Sequence, residues 1–186
     1  MISLTTSTTL STLPTIAADA RIANAWAVLA TVPDPEVPVV SVRDLGLVRE
    51  VLLIENMLEV VVTPTYSGCP ATEYIANSIV EALDAAGLGP ARVRMQRAPA
   101  WTTDWMSDEG RKKLRDYGIA PPGPVTHASA MPIRFASRRA ASEAPLACPR
   151  CGSLHTALLS AFGSTACKAL HRCLDCKEPF EHFKPI

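Results

Sequence analysis

The chain has 186 residues, with 18 Lys and Arg against 18 Asp and Glu, and 48% of its residues are hydrophobic. That length supports one ordinary globular core with a small appended module, and a net charge of +0 argues against a protein that grips nucleic acid through bulk charge. No apolar run approaches the roughly 20 residues that span a bilayer, which excludes a membrane-spanning helix.

The opening stretch, MISLTTSTTLSTLPTIA, is rich in Ser and Thr and carries no charge. A secretory leader needs a basic start and a longer apolar centre, and an organelle transit peptide needs arginines. Residues 1–16 are therefore expected to form a disordered tail on a cytoplasmic protein. Ile22, Trp26 and Leu29 then recur at helical steps, predicting a helix from about 17 to 31. Three prolines in VPDPEVP stop it. After the turn RDLG, in which Asp44 and Gly46 shape the way into a strand, come LVREVLLI and MLEVVVT. These two aliphatic runs joined by Glu55 and Asn56 predict a hairpin, although Glu-Asn is a weaker turn signal than Asn-Gly. Tyr74, Ile75, Ile79 and Leu83 predict a helix that stops at Gly87. Residues 92–97 alternate as a third strand. Ser107 caps a short helix, with acids in its first turn, bases later, and Gly118 beyond its end. Trp101 and Trp105 beside that helix read as core packing in preference to a partner anchor. The pattern predicts a compact α/β (α+β) domain over 17–118, with a small three-stranded sheet and flanking helices. A Pro-, Ala- and Arg-containing linker over 119–147 and a second module over 148–186 follow.

Six cysteines punctuate this plan: Cys69, Cys148, Cys151, Cys167, Cys173 and Cys176. Cys69 stands apart, between a strand end and a helix start. With Pro70 as the first helical residue, Cys69 becomes the N-cap or its neighbour, facing unpaired N–H groups and the positive end of the helix dipole. That setting favours the thiolate that binds metal or attacks. Gly68 would keep the approach to the sulfur open. The alternative is a small buried hydrophobe. The knuckles CPRC and CLDC are separated by 21 residues, and two Cys-x-x-Cys pairs supply the four thiolates of a tetrahedral structural zinc. A module this small needs such a metal to fold. Cys167 is left over as a spare thiol, an extra metal ligand, or part of an iron–sulfur site. Its spacing to Cys173 and Cys176 is close to the plant-type ferredoxin pattern and misses it. His155, His171 and His182 beside four thiolates read as surface residues.

The ordered set DPEVPV, DLGLV and TPTYSGCPA resembles the metal–sulfur cluster assembly family, the SufT-like domains of iron–sulfur protein maturation. The resemblance implies a compact α/β domain in which Asp34, with Glu36, lies near Cys69, and these residues handle iron or a cluster in transit. A thiolate with one or two carboxylates offers too few soft ligands to lock iron permanently. For Asp34 a turn-forming role beside proline stands equally open. Tyr66 and Ser67 depart from the family's commoner loop. The cysteine-rich ending FGSTACKALHRCLDCKEPFEHFK, fused behind such a domain, resembles the PaaD family, the D components of bacterial phenylacetate-degradation clusters. That resemblance implies an accessory factor, itself no enzyme, for the phenylacetyl-CoA epoxidase. Its partners would be the iron–sulfur reductase or the di-iron subunit, with a homodimer allowed.

Two other readings compete with this one. A catalytic or electron-transfer subunit would need Glu-x-x-His pairs for di-iron or a Gly-x-Gly-x-x-Gly nucleotide loop, and the sequence has neither. A nucleic-acid-binding ribbon would rely on Arg134, Arg138 and Arg139, a small charge run in a neutral chain.

Overall fold

The computed structural model describes residues 13–66, 68–123 and 146–186. Helix α1 spans Leu13–Leu29, so the end of the expected tail is helical, and residues 1–12 lie outside the described ones. Pro14 falls in the first turn, where a proline forfeits no helical hydrogen bond. Ala25 and Leu29 are the fully buried residues of its inner face, with Ile22 and Trp26 packed partly beside them.

The chain then turns sharply. Asp34 Oδ1 accepts the N–H groups of Glu36 and Val37, each at 2.9 Å, which closes the turn around Pro35. Ser41 and Asp44 form a reciprocal capping box: Ser41 N–H donates to Asp44 Oδ2 and Asp44 N–H donates to Ser41 Oγ, both at 3.0 Å. Gly46 follows with φ +68, and a Cβ there would lie 2.3 Å from the carbonyl oxygen of Trp105. Only glycine meets both demands.

Strands β1 (Val48–Ile54) and β2 (Met57–Val62) make the expected hairpin. Glu55 and Asn56 both adopt positive φ, 46 and 70, as a two-residue hairpin turn requires. The guanidinium of Arg21 donates to the carbonyl and side-chain oxygens of Asn56, at 3.1 and 2.7 Å, and helps hold this turn without a glycine. Helix α2 (Thr72–Ala85) carries the chain over to β3 (Ala91–Met95), which pairs with β2 in parallel. A parallel pair requires such a crossover. Ile75, Ile79 and Leu83 form the buried face of α2, whereas Tyr74, expected on that face, is 62% exposed. Tyr74 is one position short of the i, i+4, i+8 stripe that the other three define. The sheet order is β1-β2-β3. In its central strand, Glu59 is buried between Arg92 and Arg94, which donate to it at 2.8 and 2.7 Å.

Helix α3 (Asp108–Tyr117) begins as predicted, with Ser107 Oγ accepting the Gly110 N–H at 2.9 Å, and ends in left-handed Gly118. The next two residues correct the expected linker. Ile119–Ala120 form β4, which pairs in parallel with β7 (Pro179–Phe183) of the C-terminal sheet. Residues 124–145 of that linker lie outside the described residues. With β5 (Thr156–Ser160) and β6 (Lys168–Cys173), the second sheet has the order β4-β7-β6-β5.

The two sheets share buried ground. Leu58, Val60, Ile79, Leu83 and Leu114 of the first part form one core cluster with Cys167 and Phe183 of the second. Trp101 stacks at a tilt on Phe183, ring centres 6.1 Å apart, and its indole N–H donates to Leu45 O at 3.0 Å. Thr102 Oγ1 and Thr103 N–H both donate to the oxygen of Ile186, at 2.8 and 3.0 Å. A buried Leu or Phe of this kind stabilises the fold by about 1.5–3 kcal/mol. Among the described residues no helix is long and apolar enough to cross a membrane.

Candidate functional site

The two knuckles bring Cys148, Cys151, Cys173 and Cys176 together, their sulfurs all within 4.8 Å of one another. Cys148 Sγ lies 3.8 Å from Cys176 Sγ, and Cys151 Sγ lies 3.6 Å from Cys173 Sγ. Four sulfurs placed about 2.3 Å from a central ion at tetrahedral angles are separated by about 3.8 Å, so these residues fit zinc. The N–H groups of Cys176 and Asp175 hold the Cys173 thiol down to about 6, against an ordinary value of 9.0. Zinc bound here supplies no redox chemistry and ties the two knuckles together.

The histidines stay out of that quartet. His155 is exposed and its Nδ1 lies 3.1 Å from Asp175 Oδ1. His171 departs from the surface position expected of it. It is 4% exposed and stacked on Phe180, with His182 edge-on to it at 5.4 Å. Burial, with the charge of His171 adding to it, lowers His182 to about 4.

Cys69 is neither the N-cap nor its neighbour, the two positions expected of it, but lies two residues before the cap. Thr72 turns back on it, its N–H and Oγ1 donating to Cys69 O at 3.3 and 2.8 Å. That tight turn takes up Pro70 and Ala71, so α2 starts two residues later than the sequence predicts, with Ala71 as its cap. Cys69 is left half-buried in the loop that leaves the carboxyl end of β2. A Cβ at Gly68 would meet nothing nearer than the Tyr66 ring at 3.9 Å, so neither packing nor backbone conformation demands glycine there.

A single pocket of ≈ 20 Å³ collects Asp34, Glu36 and Cys69 together with Cys167, between walls that include Leu47, Ile75 and Met95. That volume admits about one water-sized occupant. Cys167 is 4% exposed; its Sγ lies 3.0 Å from Thr165 Oγ1 and 3.9 Å from Glu36 Oε2. The leftover cysteine of the ribbon is thus in the pocket of the other module, outside the zinc quartet. Sequence reasoning missed this pairing, because β6 begins one residue after Cys167 and nothing local says which surface its start will meet. Lys168 carries no sequence signal either. It is 2% exposed, paired with Glu181 Oε2 at 3.0 Å, and its charge acts on both carboxylates.

The electrostatics of the pocket favour protons on Asp34, Glu36 and Cys167. Burial pushes the Asp34 carboxyl up against the opposing N–H groups of Val37 and Glu36. Burial and then the charge of Asp34 push Glu36 up, with Lys168 and Cys167 opposing. Burial also raises the Cys167 thiol, against the Thr165 hydroxyl. The phenol of Tyr66 is raised by burial and by the neighbouring Cys69, Glu36 and Cys167. A cation entering here would displace protons from groups that are buried at some cost. Among the described residues the zinc quartet is the group of donors that closes to within 4.8 Å; the pocket donors are more widely spaced. Asp34 does form the turn as well, through Oδ1.

Residues 22–94 match the iron–sulfur cluster assembly protein family, and residues 134–184 match the PaaD zinc beta ribbon domain. The chain is 49% identical to the putative D component of the 1,2-phenylacetyl-CoA epoxidase of Escherichia coli (strain K12), over 87% of this chain and 91% of that protein. It is 33% identical to an Fe-S protein maturation auxiliary factor of Porphyromonas gingivalis, over 46% of this chain and 83% of that protein. The crystal structure of a domain of unknown function, DUF59, from Bacillus anthracis superposes with a TM-score of 0.50 at 27% identity, covering 54% of this chain and 96% of that one.

Proposed function

Since the chain belongs to the family of 1,2-phenylacetyl-CoA epoxidase D components, we propose that it loads iron or an iron–sulfur cluster onto that epoxidase and takes no part in the oxygenation itself. The observation that carries this reading is the convergence of Cys69 with the Asp34 and Glu36 carboxylates on one pocket, inside the segment that matches iron–sulfur assembly proteins. A carrier must release what it binds. Thiolate and carboxylate donors together hold ferrous iron less firmly than a thiolate quartet holds zinc, and protons on the buried carboxylates compete with the metal. The recipient in this reading is the iron–sulfur reductase or the di-iron subunit of the epoxidase, met in the cytoplasm. The Porphyromonas relative, an Fe-S protein maturation auxiliary factor by name, supports the same direction.

Replacing the chain by its Cys69→Ser variant in cells that make the epoxidase components tests this. Reductase cluster content and epoxidase activity should fall by about tenfold or more, while the variant keeps its ribbon zinc and melting profile. Equal cluster content and activity with either chain overturns the reading.

A further inference from the structure

Cys167 belongs to the ribbon by sequence and to the pocket by position. Its sulfur lies on the Glu36 side of the cavity that Cys69 also lines. It is packed in the core cluster of the assembly part, whereas Cys148 and Cys173 pack in a second cluster with Phe180. Two short-range constraints hold it there. Lys184 N–H donates to Cys167 O at 2.9 Å, which fixes the backbone through β7, and the Thr165 hydroxyl sits against its sulfur. The neighbouring Lys168 is already paired with Glu181, so Asp34 and Glu36 keep no ion-pair partner at bonding distance among the described residues.

We propose that Cys167 is a second sulfur ligand of the site built around Cys69 and Glu36, so that the ribbon completes a two-thiolate, carboxylate-containing site for a single divalent cation of borderline softness, ferrous iron being the natural occupant. Two sulfurs with one or two carboxylate oxygens match iron better than the hard cations, which take oxygen alone. The pocket holds about one water-sized occupant, which suits one ion. On binding, each thiol gives its proton to solvent and its sulfur lone pair to the metal, with no change of oxidation state. The spacing of the donors means that the Cys69 loop draws in toward the held Cys167 around the ion. This inference rests on the proposed iron-handling role of Cys69, and its test separates the two.

The full chain, with zinc in the ribbon, is titrated anaerobically with Co2+ as a spectroscopic probe for ferrous iron. The wild type should bind one ion beyond its zinc, with sulfur-to-cobalt charge-transfer absorption, and X-ray absorption at the cobalt edge should count two sulfurs. Cys167→Ser and Cys167→Ala should keep the ribbon zinc, bind cobalt about tenfold more weakly or worse, and release about one proton fewer per ion. Titrations of both Cys167 variants that superimpose on the wild type, with Cys69→Ser losing cobalt, overturn the second ligand and leave the role of Cys69 standing. Superimposable titrations for Cys69→Ser as well overturn both. If the Cys167 variants lose zinc or melt early, the wild-type edge spectrum decides: one sulfur around cobalt overturns the proposal.

Discussion

Asp34 carries two duties that a single substitution can separate. One oxygen closes the DPE turn by accepting two N–H groups, and the carboxylate charge faces the pocket, where burial disfavours it. An amide keeps the first duty and drops the second. Asp34→Asn should therefore raise the melting temperature at neutral pH, because an acid whose folded value is raised costs stability once it ionises. Cobalt binding in the pocket should weaken in the same variant. Asp34→Ala should cost about 1–2 kcal/mol through the lost turn bonds, and thermal melts of the three chains side by side check both expectations. An Asn variant that melts below the wild type would mean that the Asp34 charge stabilises the fold. The sequence left turn-former and site residue as alternatives for this position; the fold makes the same side chain serve the turn and face the pocket. Cys69 shows the opposite outcome, since Thr72 claims its carbonyl and moves the helix start away from it, a competition between side-chain and backbone bonds that residue order alone does not decide.

At the scale of elements, what was legible followed local rules. The Ser107 cap, the Gly118 stop and the stripe of Ile75, Ile79 and Leu83 are short-range features, each satisfied within one or two turns of chain. The partners of β4 and of the start of β6 were illegible because those choices are made between distant parts of the chain. Ile119 pairs with Glu181, and Cys167 meets Glu36 across 131 residues of sequence separation. His182 gives this sheet a measurable pH response. Its folded value of about 4 lies below the ordinary 6.5, so the unfolded chain takes up a proton that the folded chain refuses. Stability contributed by neutral His182 is fully present above 6.5 and declines as pH falls below it. The slope approaches about 1.4 kcal/mol per pH unit between the two values. Melting temperatures measured from about pH 7 to pH 5 should fall less steeply for His182→Gln than for the wild type, and parallel curves would refute the assignment.

For the molecule as a whole, the shared core makes the two modules energetically one where Phe183, Trp101 and Cys167 meet. Cys148→Ser removes one corner of the zinc tetrahedron, and the remaining three thiolates hold the ion far less firmly. The expected result is loss of zinc, a lower melting temperature for the assembly part as well, and weaker cobalt uptake at the distant Cys69 pocket. Metal analysis, calorimetry and the cobalt titration read these in turn. An assembly part that melts unchanged after zinc loss would mean that the ribbon merely hangs beside it. The junction matters for supply. A cell starved of zinc would make chains whose last sheet is loose, and with it the sulfur seated beside Glu36. If the chain loads iron as proposed, scarcity of one mineral would then appear as faulty handling of another, and the oxygenase would register the shortage.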